Sequence, residues 1–97
     1  MITGKLSNGF EVEVNEEIIK TYAFQELVGM TGSPKAEERV YASAKLLPFL
    51  IGEDGKRRLV AYVEKQTGEM ATSKEINVLT AEIINLAGEA DKEVKKS

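Results

Sequence analysis

Ser7-Asn8-Gly9 sits between two short runs that alternate apolar with polar residues, Ile2, Gly4 and Leu6 before it and Phe10, Val12 and Val14 after it. A period of two around turn-forming residues predicts a β-hairpin. A two-residue Asn8-Gly9 turn would pair Leu6 with Glu11 and mix apolar and acidic side chains on one face. A three-residue loop instead pairs Leu6 with Phe10 and Ile2 with Val14, and it places Gly9 in the left-handed conformation that glycine adopts cheaply. The three-residue loop is therefore expected, with Lys5 opposite Glu11 on the solvent side, a pair worth ~0.2–1 kcal/mol. An isolated hairpin is at best marginally stable, so its apolar face must lie on something else.

The rest of the chain supplies helices. Asn15 is a good N-cap, with Glu16 and Glu17 in the favourable first turn, and Ile18, Ile19, Tyr22, Ala23, Leu27 and Met30 recur at helical spacing up to Gly29 and Gly32. Ser33-Pro34, followed by Glu37, reads as a cap, a first-turn proline and a capping box. The helix it opens is expected to bury Ala36, Val40, Ala44, Leu47 and Ile51, with Pro48 kinking or shortening its last turn. Gly52-Glu53-Asp54-Gly55 reads as a break, and Leu59, Val60, Tyr62 and Val63 as a third helix closed by Thr67-Gly68. Thr72 with Glu75 forms another capping box, ahead of a helix facing Ile76, Leu79, Ile83 and Leu86 inward and closed by Gly88.

The expected fold is therefore α+β, mainly α: an N-terminal β-hairpin packed on a bundle of about four helices. The hairpin covers 2–14 and the helices about 16–29, 34–51, 56–67 and 73–87, in one domain over 1–88. Residues 89–97 read as a charged flexible tail, because Val94 is their one large apolar side chain.

Composition narrows the chemistry. The 97 residues include no cysteine, histidine or tryptophan, and carry a net charge of -3. Disulfide frameworks, zinc fingers, thiol nucleophiles, imidazole bases and His-ligated haem are excluded, and no carboxylate pair is ordered around a predicted cleft. No catalytic, cofactor or metal residue is assigned, and the chain is expected not to be an enzyme. An acidic balance points to protein partners rather than nucleic acid or a membrane surface. Met1-Ile2-Thr3-Gly4-Lys5 contains no apolar run of signal-peptide length, and Phe49-Leu50-Ile51 is far too short to cross a bilayer, so an intracellular, soluble protein is expected.

Three features qualify as candidate functional elements. Gly52-Glu53-Asp54-Gly55-Lys56 lacks the spacing of a phosphate loop and the alternating ligands of a calcium loop, and is expected to be a cap and turn. Lys56-Arg57-Arg58 is the most basic cluster. It is expected to be a solvated helix face or a rim that meets an acidic partner; the alternative function it suggests is a small DNA-associated regulatory protein. Phe24 falls off the stripe formed by Ile19, Ala23 and Leu27 and is expected to be an exposed anchor for a partner or a sister subunit. The candidate partner-binding residues are thus Phe24, Lys56, Arg57 and Arg58.

The string Leu6-Ser7-Asn8-Gly9-Phe10-Glu11-Val12-Glu13-Val14-Asn15-Glu16-Glu17 resembles the opening of the tail assembly chaperones of long-tailed phages and prophages of Gram-positive bacteria. Leu46-Leu47-Pro48-Phe49-Leu50-Ile51-Gly52-Glu53, the Thr67-Gly68 break and Lys95-Lys96-Ser97 occupy the corresponding places later in the chain, in order and spacing. One departure is that Ile18-Ile19-Lys20-Thr21-Tyr22-Ala23-Phe24 is less acidic than the first helix of such proteins. The resemblance implies a non-enzymatic factor in the cytoplasm of the bacterial host, encoded between the major tail and tape measure genes. It would coat the tape measure protein, help recruit tail tube subunits, and leave before the virion matures. It further implies a short form, of which this chain is an example, and a longer form produced by ribosomal frameshifting; a homo-oligomer is expected from Phe24 and the modest core of a chain this small.

Overall fold

The computed structural model describes residues 1–96, with side chains described as far as Glu89. Strands β1 (Ile2–Lys5) and β2 (Glu11–Val14) pair antiparallel with Ile2 opposite Val14 and Lys5 opposite Glu11, the register expected for the three-residue loop. The Leu6 N–H donates to the Phe10 carbonyl at 2.8 Å and the Gly9 N–H to the Leu6 carbonyl at 2.9 Å. Gly9 has φ +92°, so the loop closes through the left-handed conformation. Leu6, Val12 and Val14 all face the core.

The first expected helix is two pieces. Asn15 does act as a cap, its Oδ1 accepting from the Glu17 N–H at 3.0 Å, but what it opens is a single 3-10 turn, Glu16–Lys20. Thr21 is extended, with ψ 152°, and its hydroxyl caps a separate helix, α1 (Tyr22–Thr31), by accepting from the Phe24 N–H at 3.2 Å. A stripe counted continuously from Ile19 therefore carries the wrong phase beyond Thr21.

Helix α2 (Ala36–Thr67) takes the place of the two helices expected over 34–51 and 56–67, leaving three α-helices among the described residues rather than four. It has two arms, 36–51 and 53–67, joined at Gly52, whose φ of 81° and ψ of 165° belong to a region open essentially to glycine alone. Pro48 is accommodated within the first arm, and the bend comes one turn later at Gly52. Glu53, Asp54 and Gly55, expected in the break, are already helical. At the N-terminus the expected Ser33–Glu37 capping box does not form. Ser33 instead donates its hydroxyl to Glu38 at 2.7 Å and accepts from the Lys35 N–H at 3.1 Å, and α2 begins after Lys35. Its C-terminus is as expected: Gly68, with φ +76°, donates to the Glu64 carbonyl at 2.8 Å.

Helix α3 (Ser73–Lys96) opens with the capping box expected from Thr72 and Glu75. The Glu75 N–H donates to the Thr72 hydroxyl at 3.2 Å and the Thr72 N–H to the Glu75 carboxylate at 3.1 Å. The helix passes through Gly88, where closure was expected, because Gly88 does not adopt the left-handed conformation that ends α2 at Gly68. The side chains of 90–96 and all of Ser97, in the stretch expected to be a flexible tail, lie outside the described residues.

These elements form a slab of 43 × 34 × 19 Å, about two helix diameters thick. The core joins Leu6, Val12 and Val14 of the hairpin to Phe24, to Leu46, Leu47 and Leu50 of the first α2 arm, to Leu59 and Val63 of the second, and to Leu79, Ile83 and Ala87 of α3. Leu59, Ile83 and Val14 are the largest fully buried side chains, so the second arm, α3 and β2 meet at its centre. No helix among the described residues is long and apolar enough to cross a membrane.

Candidate functional site

The hairpin tip is tied into the fold from two sides. The Asn8 carbonyl accepts from the Tyr62 hydroxyl at 3.1 Å and from Gln66 Nε2 at 3.0 Å, both on the second arm of α2. The Phe10 ring stands edge-on to Tyr62, with centroids 5.4 Å apart. From the other side, the Glu82 carboxylate of α3 accepts from the Ser7 N–H at 2.8 Å and the Ser7 hydroxyl at 2.6 Å. A side chain at Gly9 would put its Cβ 3.0 Å from the Tyr62 hydroxyl, in addition to the strain of a positive φ. The Ser-Asn-Gly-Phe string thus serves to hold the tip down through Ser7, the Asn8 carbonyl and the Phe10 ring, while the Asn8 Nδ2 is buried without a hydrogen-bond partner.

Lys56, Arg57 and Arg58 lie on the solvent side of the second α2 arm and are matched by carboxylates one turn earlier. Lys56 pairs with Glu53 at 3.4 Å, while Asp54 pairs with Arg57 at 3.6 Å and Arg58 at 3.2 Å. Each such surface pair contributes little to stability, but together they offset most of the positive field that a phosphate backbone would require.

Phe24 is not the exposed anchor expected of it. Only 9% of its surface remains exposed, and it belongs to the core. Restarting the helix at Thr21 turns Phe24 inward with Leu27, and it is Tyr22, 75% exposed, that faces solvent.

A larger departure lies in the first arm of α2. The stripe expected to be buried was Ala36, Val40, Ala44, Leu47 and Ile51. The arm instead buries Ala42, Leu46, Leu47 and Leu50, while Ala36 and Ala44 are exposed and Val40 is 69% exposed. At 3.6 residues per turn the Val40 row lies roughly a third of a turn from the Leu46 row. The arm therefore carries two apolar rows, and the fold uses the one with the larger side chains.

The uncovered row forms one wall of a groove. Val40 and Ala44 face Val60 of the second arm and Ile76 at the start of α3 across a cavity of about 390 Å³. Val60 and Glu64 also line a second cavity of about 410 Å³, beside Lys56 and Arg57. Ser43 and Asn77 continue into a third of about 250 Å³, walled by Leu46, Thr80 and Ile84. The first cavity shares Val60 and Glu64 with the second and Ser43 and Asn77 with the third, and the three adjoining cavities are together referred to as the trough; Arg39 and Glu64 both line the first of them. The Arg39 guanidinium donates to the Ser33 carbonyl at 2.7 Å, and no carboxylate among the described residues pairs with it. Glu64 is engaged internally, accepting from the Ala71 N–H at 3.0 Å.

The basic cluster thus borders one end of the trough and Phe24 lies in the core beneath the surface, so the candidate residues are not brought together. Sequence reasoning missed the trough because it assigned Val40 and Ala44 to the core. The available signal was the presence of two apolar rows on one helix. Among the described residues no group of three or more acidic side chains is arranged to hold a metal ion. No family model, curated protein or solved structure matches this chain.

Proposed function

We propose that this chain is a non-enzymatic assembly chaperone of phage tails that binds the tape measure protein and helps recruit major tail (tube) subunits. It acts in the cytoplasm of the bacterial host and works as a homo-oligomer. The ordered resemblance of its motifs supports the reading, and one observation carries it: a row of apolar residues on the first arm of α2 is left open beside a groove with a mainly apolar floor. Such a surface suits another polypeptide, because a helix lying in it gains burial along its whole length. A tape measure protein is a long, apolar-striped helix that needs covering until the tube forms around it. Many copies of a small domain, each binding weakly, can provide that cover and still be displaced by tube subunits.

The experiment is co-expression with the tape measure and tube proteins of the same genome, followed by affinity capture through this chain. The expected result is a complex of several copies with the tape measure protein. A chain that captures neither protein contradicts the proposal. Tight binding to duplex DNA that weakens steeply with added salt would favour the regulatory alternative instead.

A further inference from the structure

We propose that Asn8 is a site of spontaneous deamidation, held unreactive while the hairpin tip is docked and, once converted, unable to let the tip dock again. The inference concerns the tip alone and does not rest on the assembly-chaperone reading.

The chemistry needs only the next residue and water. The Gly9 amide nitrogen gives its proton to water or hydroxide and attacks Cγ of the Asn8 side chain. The Cγ–Nδ2 bond breaks, Nδ2 takes a proton and leaves as ammonia, and a cyclic imide remains. Water then opens the imide at either carbonyl, giving aspartate or isoaspartate. A following residue without a Cβ leaves the attacking nitrogen least hindered and its backbone freest to turn. Of the four asparagines in the chain Asn8 alone is followed by glycine: Asn15 precedes Glu16, Asn77 precedes Val78 and Asn85 precedes Leu86.

The docked tip holds back each part of this step. The Gly9 N–H donates to the Leu6 carbonyl at 2.9 Å, so the proton that must leave is already engaged across the loop. Asn8 Oδ1 accepts from the Phe10 N–H at 3.1 Å, which fixes the carboxamide that would be attacked. Nδ2 is buried without a hydrogen-bond partner, shut off from the solvent that must protonate it as it leaves. One set of contacts acts the other way. Tyr62 and Gln66, both donating to the Asn8 carbonyl, stabilise the charge left on the peptide when Gly9 loses its proton. The same contacts, with Glu82 on Ser7, keep the tip docked, and docking leaves the nitrogen and the carboxamide committed to other partners.

Neither product fits where Asn8 sat. Isoaspartate adds a methylene to the backbone of a loop closed by the Leu6 and Phe10 hydrogen bond, with Gly9 at φ +92°. Aspartate can still accept from the Phe10 N–H, but its second oxygen takes the buried position of Nδ2 and sets a negative charge in a place shut off from water. A transient opening that ends in reaction is therefore permanent.

The test follows the full chain at neutral pH, folded and unfolded in urea, by acidic digestion and mass spectrometry of the peptide that contains Asn8. In urea Asn8 is expected to react ahead of Asn15, Asn77 and Asn85. In the folded chain it is expected to react more than about tenfold more slowly, because the rate then follows the population of the open tip. Glu82→Ala, whose contacts at the tip are to Ser7 and not to the reacting peptide, is expected to speed the folded chain about two- to tenfold, and Tyr62→Phe by a similar factor. The deamidated chain, separated by its added charge, is expected to have lost slow amide exchange at Leu6 and Gly9. The inference is overturned if Asn8 is inert in urea, if it reacts as fast folded as unfolded, or if Glu82→Ala leaves the folded rate unchanged or lowers it. Slowing by Tyr62→Phe overturns it as well, since the docked tip would then promote the reaction. So does a deamidated chain whose Leu6 and Gly9 amides exchange as slowly as before.

Discussion

The hairpin tip and the outer face of α2's first arm use similar materials in opposite ways. At the tip, the Asn8 carbonyl has Tyr62 and Gln66, Ser7 has Glu82, and Phe10 has the edge of Tyr62, while the Asn8 side-chain nitrogen is buried without a hydrogen-bond partner. On the α2 face, Val40 and Ala44 have been left without a cover, and Arg39 lacks a carboxylate partner among the described residues. The most recognisable string in the chain is thus occupied in building the fold. The surface available to another protein is made of small, ordinary residues.

The contrast can be broken most forcefully at the centre of the core. Leu59→Ala removes a fully buried side chain where the second arm meets the hairpin and α3. It is expected to cost about 2–5 kcal/mol in urea denaturation. A cost below that of an ordinary surface change would mean that the second arm is not the rigid half of the molecule.

Next comes the joint between the two halves. Gly52→Ala forces a Cβ onto a backbone with φ 81° and ψ 165°, although nothing lies within 4 Å of where that carbon would sit. The expected cost is about 1–3 kcal/mol, arising from backbone strain alone. Unchanged thermal stability would imply that the arms straighten freely and that the trough between them is not fixed.

A smaller effect sharpens the tip. Tyr62→Phe deletes the hydroxyl that the Asn8 carbonyl accepts from but keeps the ring against Phe10. It is expected to cost about 0.5–1.5 kcal/mol and to speed amide exchange at the loop more than in α1. Uniform exchange rates would show that the tip is held by packing alone.

The smallest effect concerns the foot of the hairpin. The Met1 amine, 2.8 Å from Glu16, holds that carboxyl below its ordinary value of 4.5, with a backbone hydrogen bond adding to the effect. A lowered carboxyl contributes stability that is complete above the ordinary value and is lost as pH falls through the lowered one. The difference in urea midpoint between the native chain and Glu16→Gln is therefore expected to be present at neutral pH and to shrink below about 4.5. A difference that grows in acid would contradict the pairing.

Local signals in the sequence were read correctly where the deciding interaction lies within a few residues. The Gly9 loop and its register, the Gly68 cap and the Thr72–Glu75 box each depend on a turn geometry set by the residues themselves. Errors arose where distant packing decides. Asn15 capped a short turn rather than a long helix, and the restart at Thr21 shifted the phase that placed Phe24 outside. On α2 two apolar rows are present, and it is the packing of α1, α3 and the hairpin that covers Leu46 and Leu50 and leaves Val40 and Ala44 open. Two Gly residues close together looked like a loop, whereas a single residue, Gly52, turns the chain and the helix resumes at once.

The most direct test is Val40→Asp in the full chain, read for both folding and capture of the tape measure protein. An exposed residue that serves only as a docking point is expected to leave the urea midpoint within about 0.5 kcal/mol of the native chain while the tape measure protein is no longer retained. Retention at the native level by a chain that folds normally would show that the open row of α2 is bare surface and that recognition, if any, lies elsewhere.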